Sequence, residues 1–298
     1  MTRIAFIGFG EAAQAMAGGL RGESAVIGLS AYDVRFTDAA FRETAQQKGV
    51  SAHETLAAAL EHADIVLSLV VGSAAVAVGQ EAGKHLAPGQ IFIDLNSISP
   101  DAKERVRDAL GPNGARLFVE GAVMARVPPL KHKVPILLAG PEAQRAESLL
   151  GPCGMDIETV GTEIGQACAV KMIRSVIVKG VEALLLESLT AAEKAGVRER
   201  ILDSITGTFP GIDWRQTATY YIGRTHQHGA RRVTEMKEAA TTIESLGLDP
   251  VLSRAIAETI RTSHERLKAS ELPFDSEYPA LLATLAGMPN SDAKDDVA

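Results

Sequence analysis

A glycine-rich turn near the start of the chain has the spacing of a phosphate-binding motif. An apolar run over residues 3–7 is followed by glycine at positions 8 and 10 and alanine at position 13, the spacing G-x-G-x-x-A. The first glycine lets the chain turn from strand into helix, and the second lets a pyrophosphate approach backbone N–H groups at the helix N-terminus. We therefore expect a dinucleotide to contact the turn residues Gly8, Phe9, Gly10, Glu11 and Ala12.

A carboxylate and a guanidinium follow at the end of the second apolar segment. Asp33 lies about 20 residues after the turn, where a carboxylate accepts hydrogen bonds from the ribose hydroxyls of NAD and repels the 2′-phosphate of NADP. Arg35 is of the type that binds that phosphate. The sequence predicts that both residues contact the cofactor and that NAD(H) is preferred, while Arg35 leaves NADP(H) possible.

Basic residues that could transfer a proton or bind an anion lie in the second half of the chain. Lys171 has apolar neighbours in a long helical run, and a lysine acts as a base when burial or a nearby cation lowers its pKa. His228, Arg231 and Arg232 recur at helical spacing, which suits a substrate carboxylate or phosphate. The alternative for each is a solvated surface position, with Arg231 paired to Glu235.

The predicted secondary structure differs between the two halves of the chain. In the first half, short apolar runs alternate with alanine-rich helical stretches, which predicts α/β architecture with a doubly wound, mostly parallel Rossmann-type sheet. The expected strands are Arg3–Ile7, Ala31–Asp33, Ile65–Leu69, Gln90–Leu95, Arg116–Val119, Pro135–Ala139 and Ile157–Val160.

From Gly165 to about Ala195 a run without proline predicts one long helix, and only helical patterns follow it. The expected helices are Arg198–Thr206, Trp214–Thr225, Arg231–Leu246 and Val251–Leu267, with a frayed polar tail from about Pro289. We expect a dinucleotide-binding domain over residues 1–162, joined by the long helix to an all-α domain over residues 163–298 that serves substrate binding and dimerisation.

Composition excludes several classes of function. The chain has 298 residues, 46% of them hydrophobic, and a formal net charge of −7, which offers no basic stripe for nucleic acid. Its two cysteines are not in a C-x-x-C pair, so we expect neither a disulfide framework nor a metal site. Because an apolar strand is predicted from residue 3, we expect no signal peptide, and no apolar run is long enough to span a bilayer. We expect a cytoplasmic protein with no membrane partner.

Three patches of the sequence resemble the β-hydroxyacid dehydrogenases, the 6-phosphogluconate-dehydrogenase-like family. They are the turn from Gly8, the segment Phe92–Pro100, and the segment Gly161–Lys171, which follows the pattern G-x-x-x-G-x-x-x-x-x-K. The resemblance implies an NAD(P)-dependent oxidoreductase acting on a CH–OH group, with Lys171 as catalytic acid/base. It further implies that Val70, Asn96 and Ser97 lie near the cofactor and that the chain forms a homodimer through its helical domain.

The departures from the family concern the substrate. Ser175 stands where the family usually has asparagine four residues after the lysine, and Met124 and Arg126 stand in a loop that is usually serine-glycine-glycine. Arg126 has two open interpretations, a clamp on a substrate carboxylate or a loop arginine in water. We expect Met124, Arg126, Ser175, His228, Arg231 and Arg232 to contact a small-molecule, anionic substrate that is larger or more apolar than the usual hydroxy acid.

Two other functions remain open at this point. The fold would also suit a non-catalytic dinucleotide-binding sensor, because a fold does not determine a function. Reduction of a C=N bond, as in the related imine reductases, is the alternative within the enzyme class. Those enzymes generally lack the lysine, so Lys171 favours alcohol chemistry over both alternatives.

Overall fold

The structure is a computed structural model that describes residues 1–115 and 117–288. The chain divides into two compact units, Met1–Lys171 and Met172–Ala298. This division falls inside the long helix, whereas the sequence places it before that helix. Two expected features, Arg116 at the start of a strand and the polar tail from about Pro289, lie outside the described residues.

The first unit is built on one eight-stranded sheet. Its strands are β1 (Thr2–Ile7), β2 (Val26–Tyr32), β3 (Ser51–His53), β4 (Ile65–Ser68), β5 (Ile91–Asp94), β6 (Phe118–Val123), β7 (Ile136–Ala139) and β8 (Ile157–Gly161). The order is β3-β2-β1-β4-β5-β6-β7-β8, and neighbouring strands are parallel except for β6 and β7, which are antiparallel. The sequence predicted a strand that overlaps each of these except β3, which has no apolar run to mark it. The predictions for β2 (Ala31–Asp33) and β6 (Arg116–Val119) were displaced, and each overlaps its strand by only two residues.

Helices flank this sheet and help to bury both of its faces. They are α1 (Glu11–Leu20), α2 (Ala39–Gln47), α3 (Leu56–Leu60), α4 (Ala75–Gly83), α5 (Pro100–Ala109), α6 (Gly111–Ala115), α7 (Val127–Leu130) and α8 (Ala143–Leu150). Because successive side chains of a strand point to opposite faces, Ile4 and Phe6 lie in one buried cluster and Ala5 and Ile7 in another. This two-sided burial confirms the doubly wound Rossmann-type architecture.

The strand order identifies one edge of the sheet as the place for a ligand. Strands β2 and β3 lie on one side of β1, and β4 and the later strands lie on the other. In open α/β sheets, ligands bind outside the carboxyl ends of the strands where the order reverses in this way. The turn after β1 and the segments after β4 and β5 therefore belong to the expected binding edge.

The second unit is helical throughout the residues that the structure describes. Helix α9 (Gln166–Lys194) begins in the first unit, and it is followed by α10 (Arg198–Thr208), α11 (Trp214–Ser245), α12 (Val251–Ala269) and α13 (Tyr278–Leu285). The core of this unit includes Leu186, Leu189, Ile222, Met236 and Ile260. None of the helices in the described part of the chain has the length and apolar character needed to span a bilayer.

Helix α11 joins two helices that the sequence predicts as separate, and it is kinked where they meet. His228 has φ −138° and ψ 17°, which are not helical values. Near the kink, the carbonyl of Thr225 accepts a hydrogen bond from Nδ1 of His264 at 3.0 Å. A Cβ on Gly229 would lie 2.4 Å from Cβ of His264, so α12 can approach α11 here only because residue 229 is glycine.

Candidate active site

The turn after β1 requires glycine at its first position. Gly8 has φ +86°, and its N–H donates to the carbonyl of Tyr32 at 2.8 Å. A Cβ on Gly8 would lie 2.6 Å from the carbonyl oxygen of Leu69 and 2.9 Å from Cγ1 of Val70. The turn thus packs against the segment after β4, which places Val70 beside it.

The second glycine of the turn leaves open space at the start of α1. Gly10 is the N-cap of this helix, and a Cβ added there would meet no atom within 4 Å. Glu11 and Ala12 begin the helix, whose first N–H groups have no partner within it. Because Ala13 is fully buried, α1 packs close to the sheet, and the open space suits a pyrophosphate on the helix N-terminus.

Asp33 holds the glycine turn in place through a hydrogen bond to its backbone. Oδ2 of Asp33 accepts the N–H of Phe9 at 2.7 Å, while the side chain of Phe9 lies in the core. The guanidinium of Arg35 donates to both carboxylate oxygens, at 3.0 and 3.2 Å, and lies 3.9 Å above the ring of Phe41. Burial opposes ionisation of Asp33, but the hydrogen bonds from Arg35 and Phe9 outweigh it and hold the pKa of Asp33 below its usual value.

Asn96 connects the ends of two neighbouring strands. Its Oδ1 accepts the N–H of Val70 at 2.7 Å, and its Nδ2 donates to the hydroxyl of Ser68 at 3.2 Å. Its own N–H donates to Oδ1 of Asp94 at 2.8 Å. Asn96 thus orders the segments after β4 and β5, which is a structural task beside the cofactor contact expected from the sequence.

A buried lysine that the sequence did not identify lies beneath these segments. Nζ of Lys103 donates to Oδ1 of Asp94 at 2.9 Å, to the carbonyl of Asp94 at 2.7 Å and to the carbonyl of Gly121 at 3.2 Å. Both members of the ion pair are completely buried. Its three N–H donors are matched by three acceptors, so Lys103 joins the carboxyl end of β5 to β6.

Glu120, which the sequence also did not single out, positions the start of α9. Its buried Oε1 accepts the N–H of Ala167 at 2.7 Å and that of Cys168 at 3.4 Å. A carboxylate at this end of a helix satisfies free N–H groups and complements the helix dipole. Burial raises the pKa of the Cys168 thiol, which disfavours the thiolate form that a nucleophile requires.

Lys171 and Ser97, two residues singled out by the sequence for different roles, are brought together. Nζ of Lys171 donates to Oγ of Ser97 at 2.6 Å. Ser97 lies on the segment after β5 that Asn96 and Lys103 order, and Lys171 lies one turn beyond the N–H groups that Glu120 caps. The ammonium is therefore held at the carboxyl edge of the sheet, where the strand order predicts a ligand.

The loop between β6 and β7 carries the two residues of the first unit that the sequence predicts to contact the substrate. The N–H of Met124 donates to the carbonyl of Pro135 at 2.9 Å, and its side chain packs against Ala122, Ala139 and Ala167. Arg126 is exposed at the start of α7. Met124 thus lies against the same helical turn that Glu120 caps, and Arg126 is accessible to solvent.

In the second unit, the basic residues predicted to bind an anion are held differently from one another. Arg232 is buried, and its guanidinium pairs with Glu182 through Nε at 2.7 Å and through a second nitrogen. The hydroxyl of Thr225 donates to the same carboxylate. Burial raises the pKa of Glu182, although Arg232 and Thr225 oppose the rise. The guanidinium expected to contact a substrate anion is thus held by a carboxylate of α9.

Arg231 and His228 are more accessible. The side chain of Arg231 is 60% exposed, and its Nε lies 3.5 Å from Oε1 of Glu235, the i,i+4 pair that the sequence offered as the alternative. His228 is half-buried at the kink of α11. On α9, the buried Ser175 accepts a hydrogen bond at 3.2 Å from Nζ of Lys179, a residue that the sequence did not indicate.

The fold and the glycine turn together define a dinucleotide-binding protein of the Rossmann class. Residues 3–160 match the NAD-binding domain of 6-phosphogluconate dehydrogenase, and residues 192–263 match a domain of unknown function. The cofactor is therefore of the NAD(P) type.

Solved structures agree with this match. A conserved hypothetical protein from Sinorhizobium meliloti 1021 is 53% identical with a TM-score of 0.81, over 96% of each chain. The conserved protein MTH1747, described as structurally similar to 3-hydroxyacid dehydrogenases, is 30% identical with a TM-score of 0.73, over 91% of this chain and 100% of its own. A 3-hydroxyisobutyrate dehydrogenase from Mycobacterium tuberculosis, at 21% identity over 96% of this chain and 99% of its own, shares the fold with a TM-score of 0.75.

The chain belongs to the β-hydroxyacid dehydrogenase superfamily, the family of 6-phosphogluconate-dehydrogenase-like proteins. It is an NAD(P)-binding, hydroxyacid-dehydrogenase-like oxidoreductase, as the three sequence patches predicted.

Proposed function

We propose that this protein interconverts a hydroxy acid, or a related alcohol, and its carbonyl form by hydride transfer, with Lys171 as the general acid/base. The observation that carries the proposal is the hydrogen bond from Nζ of Lys171 to Oγ of Ser97 at 2.6 Å. It holds an ammonium at the carboxyl edge of a nucleotide-binding sheet. A proton must leave the hydroxyl as hydride leaves the carbinol carbon, and a positioned lysine accepts it.

We assign the following roles to the residues of this chain. In oxidation the neutral amine of Lys171 takes the hydroxyl proton, and in reduction the ammonium returns it to the forming alkoxide. Ser97 accepts from Lys171 and keeps its own proton to donate to a substrate or cofactor oxygen. Glu120, Lys103 and Asn96 order the backbone segments that carry these two side chains. The nicotinamide, when bound, supplies or accepts the hydride at C4.

The proposed cofactor contacts are the turn residues 8–12, with Val70, Asn96 and Ser97 on the neighbouring segments. Asp33 and Arg35 select between the two dinucleotides, and NAD(H) is preferred because the Asp33 carboxylate repels a 2′-phosphate. The ion pair with Asp33 draws the charge of Arg35 toward that carboxylate.

Titration with both cofactors tests this preference. NADH should bind more tightly than NADPH, and Arg35→Ala should weaken NADPH binding more than NADH binding. Tighter binding of NADPH by the unaltered protein would reverse the assignment.

The proposed substrate contacts are Met124, Arg126, Ser175, His228 and Arg231, and the substrate carries an anionic group. The adjacent basic side chains support this class of substrate, because guanidinium groups bind carboxylates and phosphates in a planar, two-point geometry. Arg232, the sixth substrate contact that the sequence predicts, follows Arg231 directly and is held in an ion pair with Glu182.

We further infer a homodimer in a reducing, cytoplasmic compartment. Helix α9 exposes Ile173, Ile177 and Leu184, and Ile177 is 71% exposed. Exposed apolar side chains along one long helix suit a second copy of this chain, as the family relationship implies. Both cysteines are free thiols, which supports the inference of a reducing compartment. Light scattering should give the dimer mass, and Ile177→Glu should shift the protein toward monomer; a monomeric parent protein would contradict the inference.

Turnover with a panel of hydroxy acids, alcohols and aldehydes, followed at the absorbance band of NADH, tests the proposed activity. We expect oxidation of at least one anionic hydroxy compound and reduction of the matching carbonyl. Reduction of a cyclic imine with no alcohol turnover would instead assign the protein to imine reduction. NADH binding with no turnover of any class would indicate a non-catalytic sensor.

A further inference from the structure

We propose that Lys179 is the cation that binds the anionic group of the substrate, with Arg231 as the second, more exposed contact. The inference rests on the proposed function, because it assigns part of the substrate site. Lys179 lies on α9 at the second helical turn after Lys171, and Ser175, a proposed substrate contact, lies between them in the sequence.

The ammonium of Lys179 lies beside Ser175. Side chains of a helix lean toward its N-terminus, so a lysine reaches back over the preceding turn. Nζ of Lys179 accordingly donates to Oγ of Ser175 at 3.2 Å, and the side chain of Lys179 is only 7% exposed. A cation is thus present at the level of a residue that is expected to face the substrate.

The charge of Lys179 is only partly balanced. Its other partner is Oε2 of Glu235 at 3.1 Å, and Oε1 of the same carboxylate lies 3.5 Å from Nε of Arg231. Two cations therefore share one carboxylate. The nearby Glu182 also lies within electrostatic reach of Lys179, but its hydrogen bonds come from Arg232 and Thr225. An anionic ligand beside Lys179 and Arg231 would therefore add negative charge where two cations share the carboxylate of Glu235.

The number of hydrogen-bond donors leads to the same conclusion. An ammonium has three N–H donors, and the described part of the chain offers Lys179 two acceptors, Ser175 and Glu235. A substrate carboxylate or phosphate would supply the third acceptor and would bring negative charge to the ammonium. The accessible side of the group is at Glu235, which is 25% exposed, and at Arg231.

The test compares charged and neutral ligands of the same shape. In kinetics, a hydroxy acid found by the panel is compared with its amide; Lys179→Met should raise the KM for the acid about 10–100-fold and leave that for the amide near its original value. Lys179→Arg should keep part of the preference for the acid. Lys194→Met, the same change at an exposed lysine on α9, is the matched control.

A second measurement needs no turnover and separates this inference from the proposed function. With NADH present, malonate should raise the melting temperature of the parent protein more than malonamide does, and Lys179→Met should remove that difference. This result in a protein without hydroxy-acid turnover would reject the activity and keep the anion site. Equal responses of the parent protein and Lys179→Met to ligand charge would overturn the site.

Glu235→Gln should change malonate affinity in the opposite direction to Lys179→Met, and it tests the inference if Lys179→Met does not fold. Removing the carboxylate that competes with the ligand for Lys179 and Arg231 should tighten malonate binding. Unchanged or weaker malonate binding by Glu235→Gln would contradict the inference, because a ligand anion and Glu235 would then not share these cations.

Discussion

Each unit contains a lysine with almost no exposed surface, and the two lysines are held in different ways. In the first unit, Lys103 gives its N–H donors to the carboxylate and carbonyl of Asp94 and to the carbonyl of Gly121, all from neighbouring strands. In the second unit, Lys179 has a hydroxyl and a carboxylate that Arg231 shares. A buried cation with every donor matched stabilises the fold, whereas one with a shared counter-charge is suited to a ligand.

The largest effect on stability is expected from Lys103→Met. The variant leaves the Asp94 carboxylate buried without its cation, which costs about 3–5 kcal/mol. Urea unfolding of the variant and the parent protein measures this loss. Lys84→Met, at a lysine that is 60% exposed and pairs with Glu81 on the surface, should change stability by less than about 0.5 kcal/mol. A loss no larger than that of the Lys84 control would end the distinction between the two lysines.

Lys179→Met should cost less stability than Lys103→Met, about 1 kcal/mol in the same experiment. Its partner Glu235 is partly exposed and keeps Arg231 beside it, so no carboxylate is left buried and uncompensated. The two lysines are distinguished most clearly when unfolding stability and anion affinity are compared for both variants. Lys103→Met should lower stability most, and Lys179→Met should lower anion affinity most. The reverse order would contradict the roles assigned to them.

A smaller effect is expected from the pH dependence of Asp33. Its pKa is lowered in the folded protein from the usual 3.8, because the hydrogen bonds from Arg35 and Phe9 outweigh the opposing effect of burial. A carboxylate of this kind stabilises the fold above its unfolded pKa, and the contribution is lost as pH falls through the folded value. The stability advantage over Asp33→Asn, at most about 1 kcal/mol because Arg35 is exposed and screened, should therefore shrink below about pH 4. An advantage that grows on acidification would contradict this sign.

Much of the fold follows from local patterns in the sequence. Apolar runs indicate the presence of every strand except β3, although they displace the bounds of β2 and β6. Strand β3 consists of the three residues Ser51–His53 and depends on its neighbour β2 for pairing. The long helix α9 and the helical second half follow from the absence of proline and the helical periodicity. The kink at His228 does not follow from local patterns, and the contact of His264 with Gly229 beside it comes from another helix.

The candidate site is predictable where a motif carries it and not where partners come from distant segments. The turn from Gly8 and the segment ending at Lys171 follow patterns that a sequence displays. Lys103 and Lys179 display none, because charged side chains are usually solvated. Their burial depends on acceptors that the fold brings from elsewhere, Gly121 for Lys103 and Glu235 for Lys179.

The most direct test of the account is the kcat of Lys171→Ala with a substrate found by the panel. If Lys171 moves the hydroxyl proton, kcat should fall about 10²–10⁴-fold while NADH affinity stays near that of the parent protein. Lys171→Arg should restore little, because a guanidinium does not deprotonate at working pH, and Lys194→Ala on the same helix should behave like the parent protein. A Lys171→Ala variant that keeps most of its kcat would show that Lys171 is structural and that the proposed mechanism is wrong.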